Sequence, residues 1–307
     1  MTDGYNALRH GAAWLDLSSR GRFVARGRDR TRFLHNVTSN DIKKLTPGAG
    51  CYAFLLTPQG RIQADLTIFC FADHFLIDTE PDLREKVPGL ILKYKVADQI
   101  ELEDVSAQGV AIGLEGPGAA AVLSSAGAPV PGADFAHLAW GEAIVAAVSA
   151  TGQPGYRMYG PADLAHRLEA AGAKPATAED ARAVRIENGK PRYGDDIRET
   201  MLPQETGQLH AVSYTKGCYI GQEIVERIRT QAHINRKLVR LDIDAPEAVA
   251  PGTKLTAGSA EVGEVTSSVY SPESGKVIAL AYVRAAQAEP GTSLKTPSAA
   301  AMVSPVI

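Results

Sequence analysis

The chain sets short apolar runs between polar breaks, and two periodicities can be read from them. Alternating or continuous apolar character predicts strands over residues 21–25, 51–56, 62–71 and 75–78. Pro58, Gln59 and Gly60 part the second run from the third, as in a hairpin turn. Helical spacing at Phe33, Leu34 and Val37 predicts a helix after Asp29, which stands at its N-cap position. A further helical stretch over 82–93 contains Pro88, so it is either kinked or divided. Strands are predicted at 100–104, 109–113 and 142–148, around an alanine-rich helix at 119–125. Helices at 161–171, closed by Gly172, and at 179–187 follow.

The pattern changes after residue 236. Strand-like runs at 238–243, 263–268 and 277–283 are separated by Pro251-Gly252, Pro272, Gly275 and Pro290-Gly291, which predicts a small all-β barrel. The class expected is therefore α+β, with one region over 1–235 and the barrel over 236–307. A length of 307 residues agrees with two or three domains. Hydrophobic residues at 45% and charged residues at 22% exclude a wholly disordered chain. The net charge of −3 argues against a global grip on nucleic acid, so direct nucleic-acid binding is not expected. Cys51, Cys70 and Cys218 are too few for a disulfide scaffold and lack zinc-ligand spacing, which points to a reducing compartment and no metal site. With no secretory pattern at the start and no long apolar run, a cytoplasmic protein without membrane contact is expected.

Candidate chemistry gathers around Cys218. Ile220, Ile224 and Ile228 predict a helix from 219 to 229, which would put Cys218 at its N-terminus. The helix dipole there, with Lys216 two residues earlier, favours a thiolate. The same pattern also suits a buried structural cysteine, the reading that Cys51 and Cys70 receive from their apolar strand contexts. Two stretches are locally basic, 20–32 and 216–240, and read either as solvated faces or as sites for an anionic ligand. Glu187 lies just before Asn188-Gly189, a helix end that disfavours a carboxylate. It is either an ordinary solvated residue or an acceptor for paired hydrogen bonds from a ring amidine.

Lys216-Gly-Cys-Tyr-Ile-Gly-Gln-Glu223 resembles the signature of the YgfZ family of folate-binding proteins, whose mitochondrial relatives act in iron–sulfur cluster assembly. That family is similar to the glycine-cleavage T-protein, an aminomethyltransferase. Trp14-Leu-Asp-Leu-Ser18, Phe33-Leu-His-Asn-Val-Thr-Ser-Asn-Asp41, Arg185-Ile-Glu-Asn-Gly189, Gly263-Glu-Val-Thr-Ser267 and Ile278-Ala-Leu-Ala-Tyr282 resemble T-protein segments in the same order. The resemblance implies two interleaved α/β subdomains, a C-terminal barrel and a central pocket for tetrahydrofolate or a one-carbon derivative. It implies Glu187 as the pterin ligand, with Arg185, Tyr219, Gln222 and Arg227 as further folate-binding candidates. Cys218, Lys216 and Asp65 are the catalytic candidates. In Gly60-Arg-Ile-Gln-Ala-Asp-Leu66, Ala64 stands where the transferases carry a second acid, which argues against aminomethyl transfer. The implied function is a folate-binding accessory protein in iron–sulfur cluster assembly or repair, supporting tRNA modification. Its partners would be iron–sulfur assembly factors or client proteins. The alternative is a folate-dependent aminomethyltransferase or demethylase, and whether the chain is itself an enzyme stays open.

Overall fold

The computed structural model describes residues 2–231 and 234–305; Met1, Ala232, His233, Val306 and Ile307, at or near the edges of the two expected regions, lie outside it. Strand β1 (Ala13–Asp16) starts one sheet, and the chain then leaves to build another. Strands β2 (Gly21–Arg26), β3 (Gly50–Leu56), β4 (Ile62–Cys70), β5 (Phe75–Thr79) and β6 (Glu101–Asp104) form an antiparallel sheet ordered β3-β4-β5-β2-β6. The chain then returns. Strands β7 (Val110–Glu115), β8 (His137–Trp140), β9 (Ala143–Ala146), β10 (Gly155–Gly160) and β11 (Lys174–Pro175) join β1 in the order β11-β1-β7-β10-β9-β8. The two α/β subdomains are thus interleaved. Strands β12 (Arg236–Ile243), β13 (Lys254–Ala257), β14 (Ala260–Ser271), β15 (Lys276–Arg284), β16 (Ser293–Lys295) and β17 (Ala300–Ser304) close a barrel.

Seven helices cover these sheets among the described residues: α1 (Asp3–His10), α2 (Arg30–Val37), α3 (Lys86–Leu92), α4 (Ala119–Ser125), α5 (Leu164–Ala170), α6 (Ala178–Glu187) and α7 (Gln222–Gln231). None is long and apolar enough to cross a membrane. Phe23, Phe54, Ile62, Leu66 and Ile77 of the five-stranded sheet pack with Phe33 and Leu34 of α2 and Ile91 of α3. Leu114, Val145 and Met158 pack with α4 and α5 residues in a second core. Val24, Phe69 and Leu76 meet Ala111, Ala146 and Tyr159 where the two sheets face each other. Burying these side chains is worth about 25 cal/mol per Å² of apolar surface and drives the sheets together.

Several sequence expectations are corrected. Asp29 does not cap α2 with its side chain; its Oδ2 accepts from the Gln99 amide at 2.8 Å. For 82–93 the divided form of the two expected is found, a 3₁₀ turn at Pro81–Leu83 and then α3, where Pro88 sits in the first turn and its missing N–H costs nothing. The helix after Cys218 starts at Gln222, not at residue 219. Gly221 sets that start: its φ is +83°, and a Cβ there would lie 2.6 Å from the Thr57 carbonyl in the β3–β4 turn.

Candidate functional site

The two sheets, α6 and the segment after it enclose a cavity of about 610 Å³. Asp65 enters it from β4. Strand alternation sends Asp65 and Thr67 to the cavity and Ala64 and Leu66 into the apolar core. Ala64, fully buried, therefore removes no acid from this cavity, and the argument against aminomethyl transfer drawn from it falls. Asp65 Oδ2 accepts from the Tyr52 hydroxyl at 2.8 Å, whereas its buried Oδ1 has no partner among the described residues. Burial, then the nearby Glu80 charge, pushes Asp65 up to about 6.

Glu80 is the opposite case. Burial works against its charge, but Arg20 and Arg192 outweigh it and hold Glu80 down at about 2. Arg192 Nε donates to Glu80 Oε2 at 2.8 Å, and Arg20 bridges Glu80 and the fully buried Asp78. Asp78 also accepts from Arg157 at 2.6 Å and from the Tyr159 hydroxyl at 2.9 Å. Glu115 fastens another wall: its carboxylate accepts from the Ser149 and Thr151 hydroxyls and the Thr151 amide, fixing the 148–151 segment. Arg182, Arg185 and Lys190 complete the cationic side. The Lys190 ammonium donates no hydrogen bond among the described residues, and burial lowers its pKa. Phe135 and His210 stack with ring centroids 6.2 Å apart, and His210 stacks on Tyr52 at 5.4 Å. Phe135 holds φ +61°, a left-handed strain of order 1–2 kcal/mol set beside the cavity.

The expected site residues divide. Asp65 and Arg185 line the cavity; Glu187, Lys216, Cys218, Tyr219, Gln222 and Arg227 do not. Two residues along a helix turn its face by about 200°, so Arg185 and Glu187 point apart. Glu187 Oε1 accepts from the Tyr5 hydroxyl at 2.6 Å, and its Oε2 lies 3.7 Å from Arg9. Lys216 is buried, and its ammonium donates to the carbonyls of His35, Thr38 (2.6 Å) and Asn40 (2.7 Å). It thereby pins its loop to the end of α2. Burial lowers its pKa to about 7. The Tyr219 ring packs beneath that ammonium at 4.8 Å and is also buried. Cys218 is exposed, four residues before α7, beyond the first-turn reach of the helix dipole. Arg227 is exposed on α7.

The basic stretch 20–32 divides: Arg20 and Arg22 are buried, whereas Arg26, Arg28 and Arg32 are exposed, Arg26 pairing with Asp73 and Arg32 with Asp98. Tyr52, Glu80, Phe135, Arg157, Lys190, Arg192 and His210 escape sequence reasoning. For Asp78 and Arg157 there is a signal, a charge inside an otherwise apolar strand, which demands a buried partner.

The architecture and this inter-sheet cavity define a T-protein-type protein. A model of the GCVT N-terminal domain matches residues 1–216, and a model of the glycine cleavage T-protein C-terminal barrel domain matches 236–305. The chain belongs to this aminomethyltransferase-like family, whose members use tetrahydrofolate. An aminomethyltransferase of Geobacillus kaustophilus is 30% identical over 93% of this chain and 82% of its own length. One from Thermoanaerobacter sp. is 26% identical over 95% of this chain and 83% of its own length. A putative chloroplastic transferase of Arabidopsis thaliana is 27% identical over 95% of this chain and 70% of its own length. The crystal structure of the glycine cleavage system aminomethyltransferase T from Bartonella henselae shares the fold with a TM-score of 0.89 at 22% identity, covering 99% of this chain and 88% of that one.

Proposed function

We propose that this chain is a folate-dependent protein of aminomethyltransferase type, with Asp65 as the acid–base group for a one-carbon unit. The observation that carries it is Asp65, a buried carboxylate in the cavity lining whose Oδ1 has no hydrogen-bond partner among the described residues. The donor set fits a folate: a carboxylate and the flat Phe135–His210 stack suit a hydrogen-bonding ring, and Lys190, Arg182 and Arg185 suit an anionic tail. Tetrahydrofolate, when bound, supplies a nitrogen that carries the one-carbon unit. Tyr52 orients Asp65, and burial, then the Glu80 charge, lifts its pKa toward neutrality, where proton exchange is most effective. Arg20 and Arg192 keep Glu80 ionised, so the two acids take different roles. Titration calorimetry with tetrahydrofolate tests the binding. Transfer from an aminomethyl or N-methyl donor, assayed with wild type and Asp65→Asn, tests the chemistry. Binding without any transfer, across both donor classes, would leave a folate-binding protein that is no transferase.

One observation favours a second reading of what the folate serves. The Lys216–Glu223 segment buries Lys216 and Tyr219 as anchors and presents Cys218 outward, away from the cavity. A thiol so displayed suits a partner protein, as the YgfZ branch's part in iron–sulfur cluster assembly or repair, and through it tRNA modification, would require. One thiol cannot hold a cluster alone, so contact with an assembly factor or client would be shared. A reducing cytoplasm suits its three free thiols. Restoring a four-iron enzyme in a deletion strain with wild type but not Cys218→Ala would support this reading. Equal restoration by both would remove the thiol from it.

A further inference from the structure

We infer that the C-terminal barrel positions the cavity's cationic wall, with Thr266 and Ser267 as positioning residues for the anionic part of the ligand. The ligand arm of this inference rests on the folate reading above. Strand β14 pairs Val265 with Ala281 and Ser267 with Leu280, so Thr266 is an extra residue in a bulge. Adjacent strand residues normally point to opposite faces. Here the bulge turns both hydroxyls onto one carboxylate oxygen: Asp196 Oδ1 accepts from Thr266 Oγ1 at 2.6 Å and from Ser267 Oγ at 2.7 Å.

Asp196 is fully buried, and its other oxygen holds two residues of the cavity lining. Oδ2 accepts from Arg185 Nη1 at 2.5 Å and from the Arg192 amide at 3.2 Å. Both arginines line the cavity, and Arg192 carries the bond to Glu80. Immediately after the bulge, the Ser268 carbonyl accepts from Arg182 Nη1 at 2.9 Å, and Arg182 lines the cavity too. Three consecutive residues of one barrel strand thus reach three cavity arginines, two of them through Asp196. A buried carboxylate that loses both hydroxyl donors must find new partners, and the nearest donors are those same arginines. Moving a guanidinium by even 1 Å alters how it meets a carboxylate.

The test uses the full chain, with 5-formyltetrahydrofolate as the calorimetric probe. Thr266→Val/Ser267→Ala keeps the volume nearly constant and deletes both donors, Ser267→Ala deletes one, and Thr266→Ser keeps both. The expected result is a roughly tenfold weaker Kd for the double variant, a smaller loss for Ser267→Ala and wild-type affinity for Thr266→Ser. A second readout needs no ligand: amide hydrogen exchange in unliganded protein. It should quicken locally over 182–198, where Asp196 holds the Arg192 amide, and stay unchanged in the five-stranded sheet. Should the double variant fail to fold, Ser267→Ala carries both measurements. Variants that match wild type in affinity and in exchange overturn the inference. Wild type that fails to bind the probe overturns the folate reading alone, and the exchange pattern then decides whether the barrel holds this wall.

Discussion

Asp65 and Cys218 are the carboxylate and the thiol that the sequence singles out, and the fold gives them opposite surroundings. Asp65 is buried in a cavity whose walls come from stretches scattered between Leu15 and His210. Cys218 lies at the surface on one continuous octapeptide, whose buried members, Lys216 and Tyr219, hold the loop rather than face the cavity. Asp65 is tuned by what converges on it: burial, Tyr52 and Glu80, with Arg20 and Arg192 behind Glu80. The difference teaches that a contiguous motif marks a loop worth shaping, whereas the acid–base group proposed here takes its surroundings from residues far apart in the chain.

The sharpest way to break this comparison is Asp65→Asn. An amide keeps the Tyr52 hydrogen bond but cannot exchange the proton. One-carbon transfer is expected to fall by roughly 10²–10⁴-fold, while tetrahydrofolate binding changes little. In wild type, a carboxylate base with a pKa near 6 makes turnover rise as pH increases through about 6, and the variant should lose that limb. Stability moves the other way. A carboxyl whose folded pKa is raised stabilises the fold only while protonated, and that contribution disappears as pH climbs from the ordinary carboxylate range toward 6. Asp65→Asn should therefore unfold at a higher temperature than wild type at pH 7.5, with the gap closing at pH 4. Equal midpoints at both pH values would show that Asp65 is not held in a disfavoured charged state.

Lys216→Met comes next. It leaves the His35, Thr38 and Asn40 carbonyls without the ammonium that now serves all three. A loss of about 2–4 kcal/mol is expected in urea unfolding. Folate affinity measured well below the transition should hold within a few-fold, because this ammonium lies outside the cavity. An unchanged midpoint together with lost transfer would reverse the assignment and make Lys216 a catalytic group.

Much of the fold is legible in the chain because burial there is periodic. The strands of the five-stranded sheet, the α4 and α6 helices and the change to a barrel near residue 236 follow from apolar spacing. What sequence could not place depends on direction rather than type. Ala64 and Asp65 are neighbours, yet pleating sends one to the core and the other to the cavity. Arg185 and Glu187 share a helix, yet only Arg185 reaches the cavity lining. Cys218 looked like a helix N-terminus because Ile220, Ile224 and Ile228 keep helical spacing; the left-handed Gly221, pressed against Thr57, delays the helix to Gln222. Lys190 and His210 give no periodic signal, since Lys190 sits outside helix and strand and His210 in a three-residue 3₁₀ turn too short to carry a period.

The smallest effect in purified protein is expected from Cys218→Ala. The thiol is exposed, lies outside the cavity lining and precedes the first turn of α7. Removing one sulfur from such a place should leave unfolding within about 0.5 kcal/mol of wild type. Tetrahydrofolate affinity and one-carbon transfer should stay within twofold. A tenfold loss of either would join loop and cavity into one site and end the separation argued above. If the purified variant is unaltered yet fails to restore a four-iron enzyme in cells, the loop does its work on a partner. The two regions would then be two functional surfaces, one shaped for a small anionic ligand and the other for a protein.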